Sequence, residues 1–199
     1  TRVLVEHKRA VGVEFVHEGD TKQLRCAREV LLCAGALQSP QILMLSGIGP
    51  HKHLVRKGIA TVHDSPGVGQ NLHDHIGVAQ VVNAPRLTES FGLSLTGALH
   101  VAQGLVEWQK YRTGMLTTNF AEAGGFIKSQ PSERVPDLQL HFVVGKMLDH
   151  GRSTALGHGF SCLVSLLRPA SRGIVMLHSK DPFAPPLIDP NFLGVRDDM

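Results

Sequence analysis

Residues able to do chemistry are unevenly spread along this 199-residue chain. Its 12 histidines include two i, i+2 pairs, His51-Lys52-His53 and His73-Asp74-His75, and on an extended backbone each pair offers two imidazoles on one side. A zinc site needs a third and usually a fourth ligand. None stands at a recognisable spacing, so these read as hydrogen-bonded loop histidines and no metal is expected. Cys26, Cys33 and Cys162 are odd in number and lack C-x-x-C spacing, which argues against a disulfide framework and for buried thiols in a reducing, cytoplasmic setting. Gly67-Val68-Gly69-Gln70-Asn71-Leu72 begins like a dinucleotide fingerprint but has leucine at the last glycine. Gly92-Leu93-Ser94-Leu95-Thr96 misses the final glycine of a nucleophile elbow.

One stretch stands apart, EVLLCAGALQSPQILMLSGIGP at residues 29–50. Val30-Leu31-Leu32-Cys33 is apolar without alternation, the pattern of a strand covered on both faces. Ser39-Pro40 supplies an N-cap and a proline at the first helical position, and Gly47 stands where a helix C-terminus favours glycine. Between strand and helix, Ala34-Gly35-Ala36 is a corner of small residues that lets something bulky approach the backbone.

The elements that must position these residues follow from periodicity. Residues 2–6, 10–17 and 22–27 are β-rich runs separated by His7-Lys8-Arg9 and Glu18-Gly19-Asp20, which predicts a three-stranded antiparallel meander. A short helix is expected from Pro50 to Lys57, stopping at Gly58. The glycine-rich loop Ser65 to Asn71 marks a domain boundary. Beyond it, residues 77–82, 120–128, 137–144, 159–167 and 173–178 read as strands, and Leu95, Leu99, Ala102, Leu105 and Val106 fall at helical spacing across 94–112. Strands with a helical insertion predict an antiparallel sheet carrying helices on one face, an α+β module.

Several classes are excluded. No apolar run approaches the roughly 20 residues of a membrane-spanning helix. A formal charge of +3, with Lys and Arg scattered, argues against nucleic acid. Thr1 to Leu4 already reads as a strand with no initiator methionine and no signal peptide. The C-terminal end also stops without a closing element, so the expectation is an internal piece of a longer protein.

Gly35 through Gly49 resembles, position for position, the second signature of the glucose-methanol-choline (GMC) family of flavin-dependent oxidoreductases. Pro66-Gly67-Val68-Gly69-Gln70-Asn71-Leu72-His73-Asp74-His75 resembles that family's crossover. Glu122 to Phe126, Pro136 to Phe142, Ser171-Arg172-Gly173 and Pro186 to Asn191 follow in the family's order. Bacterial choline dehydrogenases and medium-chain or polymer-alcohol dehydrogenases look most similar, the latter through Leu116-Thr117-Thr118-Asn119 and Leu148-Asp149-His150-Gly151-Arg152.

The resemblance implies an α+β organisation in three segments. Residues 1–75 would form part of an α/β FAD-binding domain, 76–185 the substrate domain, and 186–199 a return to the FAD domain. It implies FAD as cofactor, held in part by Ala34, Gly35 and Ser39, at the carboxyl edge of a sheet and the start of a helix. It also implies that His141 points into an alcohol pocket and hydrogen-bonds the substrate hydroxyl, with Met147 on an apolar wall.

The family's phosphate-binding G-x-G-x-x-G and its catalytic histidine pair correspond to no residues of this chain, so no catalytic residue is assigned here. Where choline-using relatives resemble D-H-x-E, this chain reads Asp74-His75-Ile76-Gly77, and Trp108 sits on a helix, so an uncharged primary alcohol is favoured over choline. The electron acceptor, whether quinone, cytochrome or oxygen, is left open, as is a peripheral place at the inner membrane. Rival readings are a choline dehydrogenase proper and a non-catalytic binding or interaction module built on the substrate-domain sheet.

Overall fold

The computed structural model describes residues 1–88, 90–148, 153 and 155–199. Of Leu148-Asp149-His150-Gly151-Arg152, only Leu148 falls among the described residues. The chain divides into two compact units, the first formed by Thr1–Asp74 and Ala170–Met199, the second by His75–Pro169. No helix of the described residues is long and apolar enough to cross a membrane.

The first unit opens with the expected meander, β1 (Arg2–Glu6), β2 (Arg9–His17) and β3 (Asp20–Arg25), in sheet order β1-β2-β3. The turns explain the register. His7 and Lys8, then Glu18 and Gly19, all have positive φ, the two-residue geometry that matches the twist of a hairpin. Helix α1 (Gly35–Leu45) follows, then β4 (Ile48–Gly49), α2 (His51–Arg56), β5 (His63–Asp64) and β6 (Gln70–Leu72).

Three expectations fail in and around this unit. Residues 29–33 form no strand. A strand needs a ladder partner, none pairs with this run among the described residues, and Leu31 is 78% exposed. The thiols are likewise not buried: Cys33 is exposed and Cys26 and Cys162 are half-buried. The helix also begins a full turn before Ser39, with Ala34 as N-cap and Pro40 inside it. Proline there withholds the N–H that would reach the Ala36 carbonyl, while Ser39 Oγ turns back to accept the Ala34 N–H at 3.1 Å. The C-terminal end is as expected, since Gly47 has φ +80°, the left-handed conformation that ends helices.

The core of this unit is Met44, Leu54 and Leu177, with Leu45, Ile59, Val68 and Met176 against it. Buried polar groups are paired. Gln41 Nε2 donates to the Ala184 carbonyl at 2.9 Å, and Ser46 Oγ accepts the Val3 N–H at 2.8 Å. Strand β6 pairs with β11 (Gly173–Met176), which pairs with β12 (Leu187–Asp189). These pairings bring the chain back to the first unit at Ala170, earlier than residue 186.

The second unit is one antiparallel sheet of β7 (Ile76–Asn83), β8 (Ala121–Ile127), β9 (Leu138–Val143) and β10 (Gly159–Leu166), in spatial order β7-β10-β9-β8. Helix α3 (Leu95–Tyr111) precedes β8, capped by Ser94, whose Oγ accepts the Gly97 N–H. Its apolar stripe is not covered as expected: Leu95, Leu99, Leu105 and Val106 are all exposed. Its buried residues are Gly97 and Gly104. A Cβ on Gly97 would lie 1.9 Å from the Gly92 carbonyl oxygen, and one on Gly104 would lie 2.9 Å from Met115 Cγ. Close backbone approach, not the leucine stripe, seats this helix.

Candidate functional site

Strands β9 and β10 build the floor of a cavity of about 720 Å³ in the second unit. Register puts Leu163 opposite His141, Ser165 opposite Gln139 and Ser161 opposite Val143, so His141, Val143, Leu163 and Ser165 stand on one face and line the hollow. Phe91, Leu93, Val101, Phe120, Met147 and Ala155 add apolar wall, with Asn119, Lys146 and Ser153 as polar points.

The two pocket residues expected from sequence, His141 and Met147, therefore meet in one cavity. His141 is half-buried and comes from a central strand of the sheet. Met147 is placed by Ser161, which is fully buried. Ser161 Oγ accepts the Met147 N–H at 2.8 Å and donates to the Gly145 carbonyl at 2.9 Å. The two phenylalanines stack at 4.5 Å between ring centroids. Both are tied to Val144, whose carbonyl accepts the Phe91 N–H and whose N–H donates to the Phe120 carbonyl.

Sequence reasoning did not find Phe91, Phe120, Asn119 or Lys146. Asn119 lay in a quoted motif without a role. The others give no local signal, since segments far apart in the sequence bring them together.

The arrangement suits a small alcohol. Its wall is mainly apolar, and it offers an imidazole that can donate to or accept from a hydroxyl. Trp108 is not among the residues that line this cavity, and the Arg112 guanidinium, just past the end of α3, lies 4.3 Å from its ring centroid.

In the first unit the corner Ala34-Gly35-Ala36 survives as the start of α1. Gly35 has φ +81°, and a Cβ there would meet nothing within 4 Å. The glycine thus serves backbone conformation, and the space beside it is open on the side of this chain. Ala34 is half-buried, and Gly35 through Gln38 are exposed. No side chain caps the helix start and no acid stands in its first turn. Free N–H groups at a positive helix end fit the anionic part of a cofactor such as FAD. Ser39 is half-buried, with its hydroxyl turned to Ala34.

His51 and His53 are not set out as two ligands on one side. His53 lies on α2, where i and i+2 face different ways. His51 Nδ1 meets Thr61 Oγ1 at 2.9 Å. Among the described residues no three His, Cys, Asp or Glu side chains cluster as metal ligands would.

Known proteins share this fold. The profile of the GMC oxidoreductase family matches residues 1–77. An alcohol dehydrogenase [acceptor] of Pseudomonas putida is 41% identical over 201 residues, covering 100% of this chain and 36% of that protein. Human mitochondrial choline dehydrogenase is also 41% identical over 201 residues, covering 100% of this chain and 33% of that protein. Among solved structures, a formate oxidase of Aspergillus oryzae RIB40, studied for modification of its FAD, superposes with a TM-score of 0.82. It is 30% identical, over 99% of this chain and 39% of that one. The chain spans about a third of the length of the curated relatives it matches. The profile match over residues 1–77 and the 41% identity to these relatives along the whole chain show that it belongs to the GMC oxidoreductase family.

Proposed function

We propose that this chain is the middle part of an FAD-dependent alcohol dehydrogenase that oxidises a primary alcohol to an aldehyde. The observation that carries the reading is the meeting of His141 and Met147 in one mainly apolar cavity. When bound, FAD would supply the hydride acceptor. Ala34 and Gly35 would receive it closely, and the uncapped start of α1 would face its anionic part. Ser39 would act indirectly, by holding the corner through the Ala34 N–H.

His141 would hydrogen-bond the substrate hydroxyl and steady the negative charge that grows on oxygen as the proton leaves. Met147, Phe91 and Phe120 would exclude water from the aliphatic part. The group that takes the hydroxyl proton is the histidine pair that the family carries C-terminal to this segment, so the chain by itself should be inactive. The electron acceptor, whether quinone, cytochrome or oxygen, lies outside what these residues select.

Among the described residues no carboxylate lines the cavity, which favours an uncharged primary alcohol over choline. The full-length protein tests both points. Flavin absorbance that bleaches anaerobically with a medium-chain primary alcohol supports the reading. A much higher kcat/KM for choline than for that alcohol would overturn the substrate preference. Purified protein with no flavin would favour a non-catalytic binding module.

A further inference from the structure

The cavity of the second unit holds a fixed cation that the alcohol reading leaves without a role. Lys146 follows the end of β9, and two glycines fix its course. Its stem crosses Gly159, where a Cβ would come within 2.9 Å of Lys146 Cγ, and its ammonium stands 3.6 Å from where a Cβ of Gly157 would be. Nζ donates to Asn83 Oδ1 at 3.1 Å and to the Leu156 carbonyl. Asn83 is brought there by pairing with Gly159 across β7 and β10.

Both acceptors are neutral. Among the described residues Lys146 forms no ion pair and no Asp or Glu lines the cavity. His141 is the only other titratable side chain among the described residues of the lining. Among the described residues the ammonium is thus held by neutral partners alone. Both of its hydrogen bonds are exposed, so its field acts on a bound molecule at short range and weakens as salt is added.

We infer that Lys146 is a specificity-determining residue of this cavity, which turns it against alcohols bearing a cationic group and toward those whose far end is neutral or, better, a carboxylate. The inference rests on the reading that this cavity takes the alcohol. A lysine is suited to the part because its point charge on a long stem reaches the rim of a hollow while the stem packs on backbone. A merely structural tie between Asn83 and Leu156 would leave charge preference untouched.

The test compares kcat/KM for 6-hydroxyhexanoate, 1-hexanol and choline in the full-length flavoprotein, at fixed pH and ionic strength. The forms compared are the natural protein and Lys146→Met, Lys146→Arg and Lys146→Glu. Ratios within one variant cancel any loss of folded protein. Lys146→Met should lower the hydroxyhexanoate-to-hexanol ratio about tenfold, Lys146→Arg should keep it, and Lys146→Glu should raise the choline-to-hexanol ratio by about tenfold or more. Ratios that stay within about twofold across all three variants, with hexanol still oxidised, overturn the inference.

Binding of the same three compounds, read by saturation-transfer NMR, follows charge preference without turnover. A protein that oxidises no alcohol would overturn the functional reading alone. Its binding ratios would still decide the role of Lys146, confirming it if they shift as above and refuting it if they do not.

Discussion

The backbone N–H of Leu177 donates to Nε2 of His53 at 3.1 Å, joining α2 to the strand end that returns the chain to the first unit. The acceptor must be the unprotonated nitrogen, so His53 is neutral with its proton on Nδ1. Burial, with Lys57 and Arg56 close by, pushes its pKa below the ordinary 6.5. The unfolded chain therefore takes up a proton at higher pH than the folded one. The contribution of His53 is fully present above about pH 6.5 and declines as pH falls below that value, levelling off beneath the lowered folded pKa. Urea midpoints should drop from pH 7.5 to 5.5, and His53→Gln, which can accept the same N–H without titrating, should flatten that drop. Parallel curves for the two proteins would refute the assignment.

Ser161 carries the loop that forms one side of the cavity. Ser161→Ala leaves the Met147 N–H and the Gly145 carbonyl without their partner, a loss of about 1–3 kcal/mol. Chemical denaturation should show that loss. Alcohol oxidation should also weaken, chiefly in KM, because Met147 and Lys146 lose their anchor. A variant with unchanged stability would contradict the role given to this hydroxyl.

The crossover glycines should respond differently to one added methyl. Gly69 has φ +79°, a Cβ there would lie 2.1 Å from the Val175 carbonyl oxygen, and its own carbonyl accepts the Val175 N–H at 2.7 Å. Gly69→Ala should cost upwards of about 1 kcal/mol, from left-handed strain and from separating β6 from β11. Gly67, two residues earlier, has open space around it, so Gly67→Ala should leave the thermal midpoint nearly unchanged. Equal effects at the two sites would contradict this account of the loop.

The hairpins of the first unit and the strands of the second were readable because turn residues such as Glu18-Gly19 punctuate them, and because each apolar run has a partner in this chain. Residues 29–33 misled for the converse reason. Val30-Leu31-Leu32 has the composition of a covered strand, but composition does not supply the neighbour that a ladder needs. Ser39-Pro40 misled because it is a common helix opening, whereas the left-handed Gly35 lets α1 start a turn earlier. Alternation along β9 put His141 and Val143 on one face, and the family resemblance gave that face a purpose. Lys146 was invisible because its position depends on Gly159 pairing with Asn83, 76 positions apart by subtraction of their numbers.

The most direct measurement is anaerobic reduction of the full-length protein's flavin by a medium-chain primary alcohol, followed at its visible absorbance in stopped flow, for the natural protein and for His141→Ala and His141→Asn. The account predicts rapid bleaching in the natural protein. His141→Ala should slow it by about a hundredfold or more, and His141→Asn, which keeps a hydrogen-bond donor, should slow it less. Reduction at the natural rate in His141→Ala, with flavin content unchanged, would show that the cavity on β9 and β10 is not where the alcohol reacts.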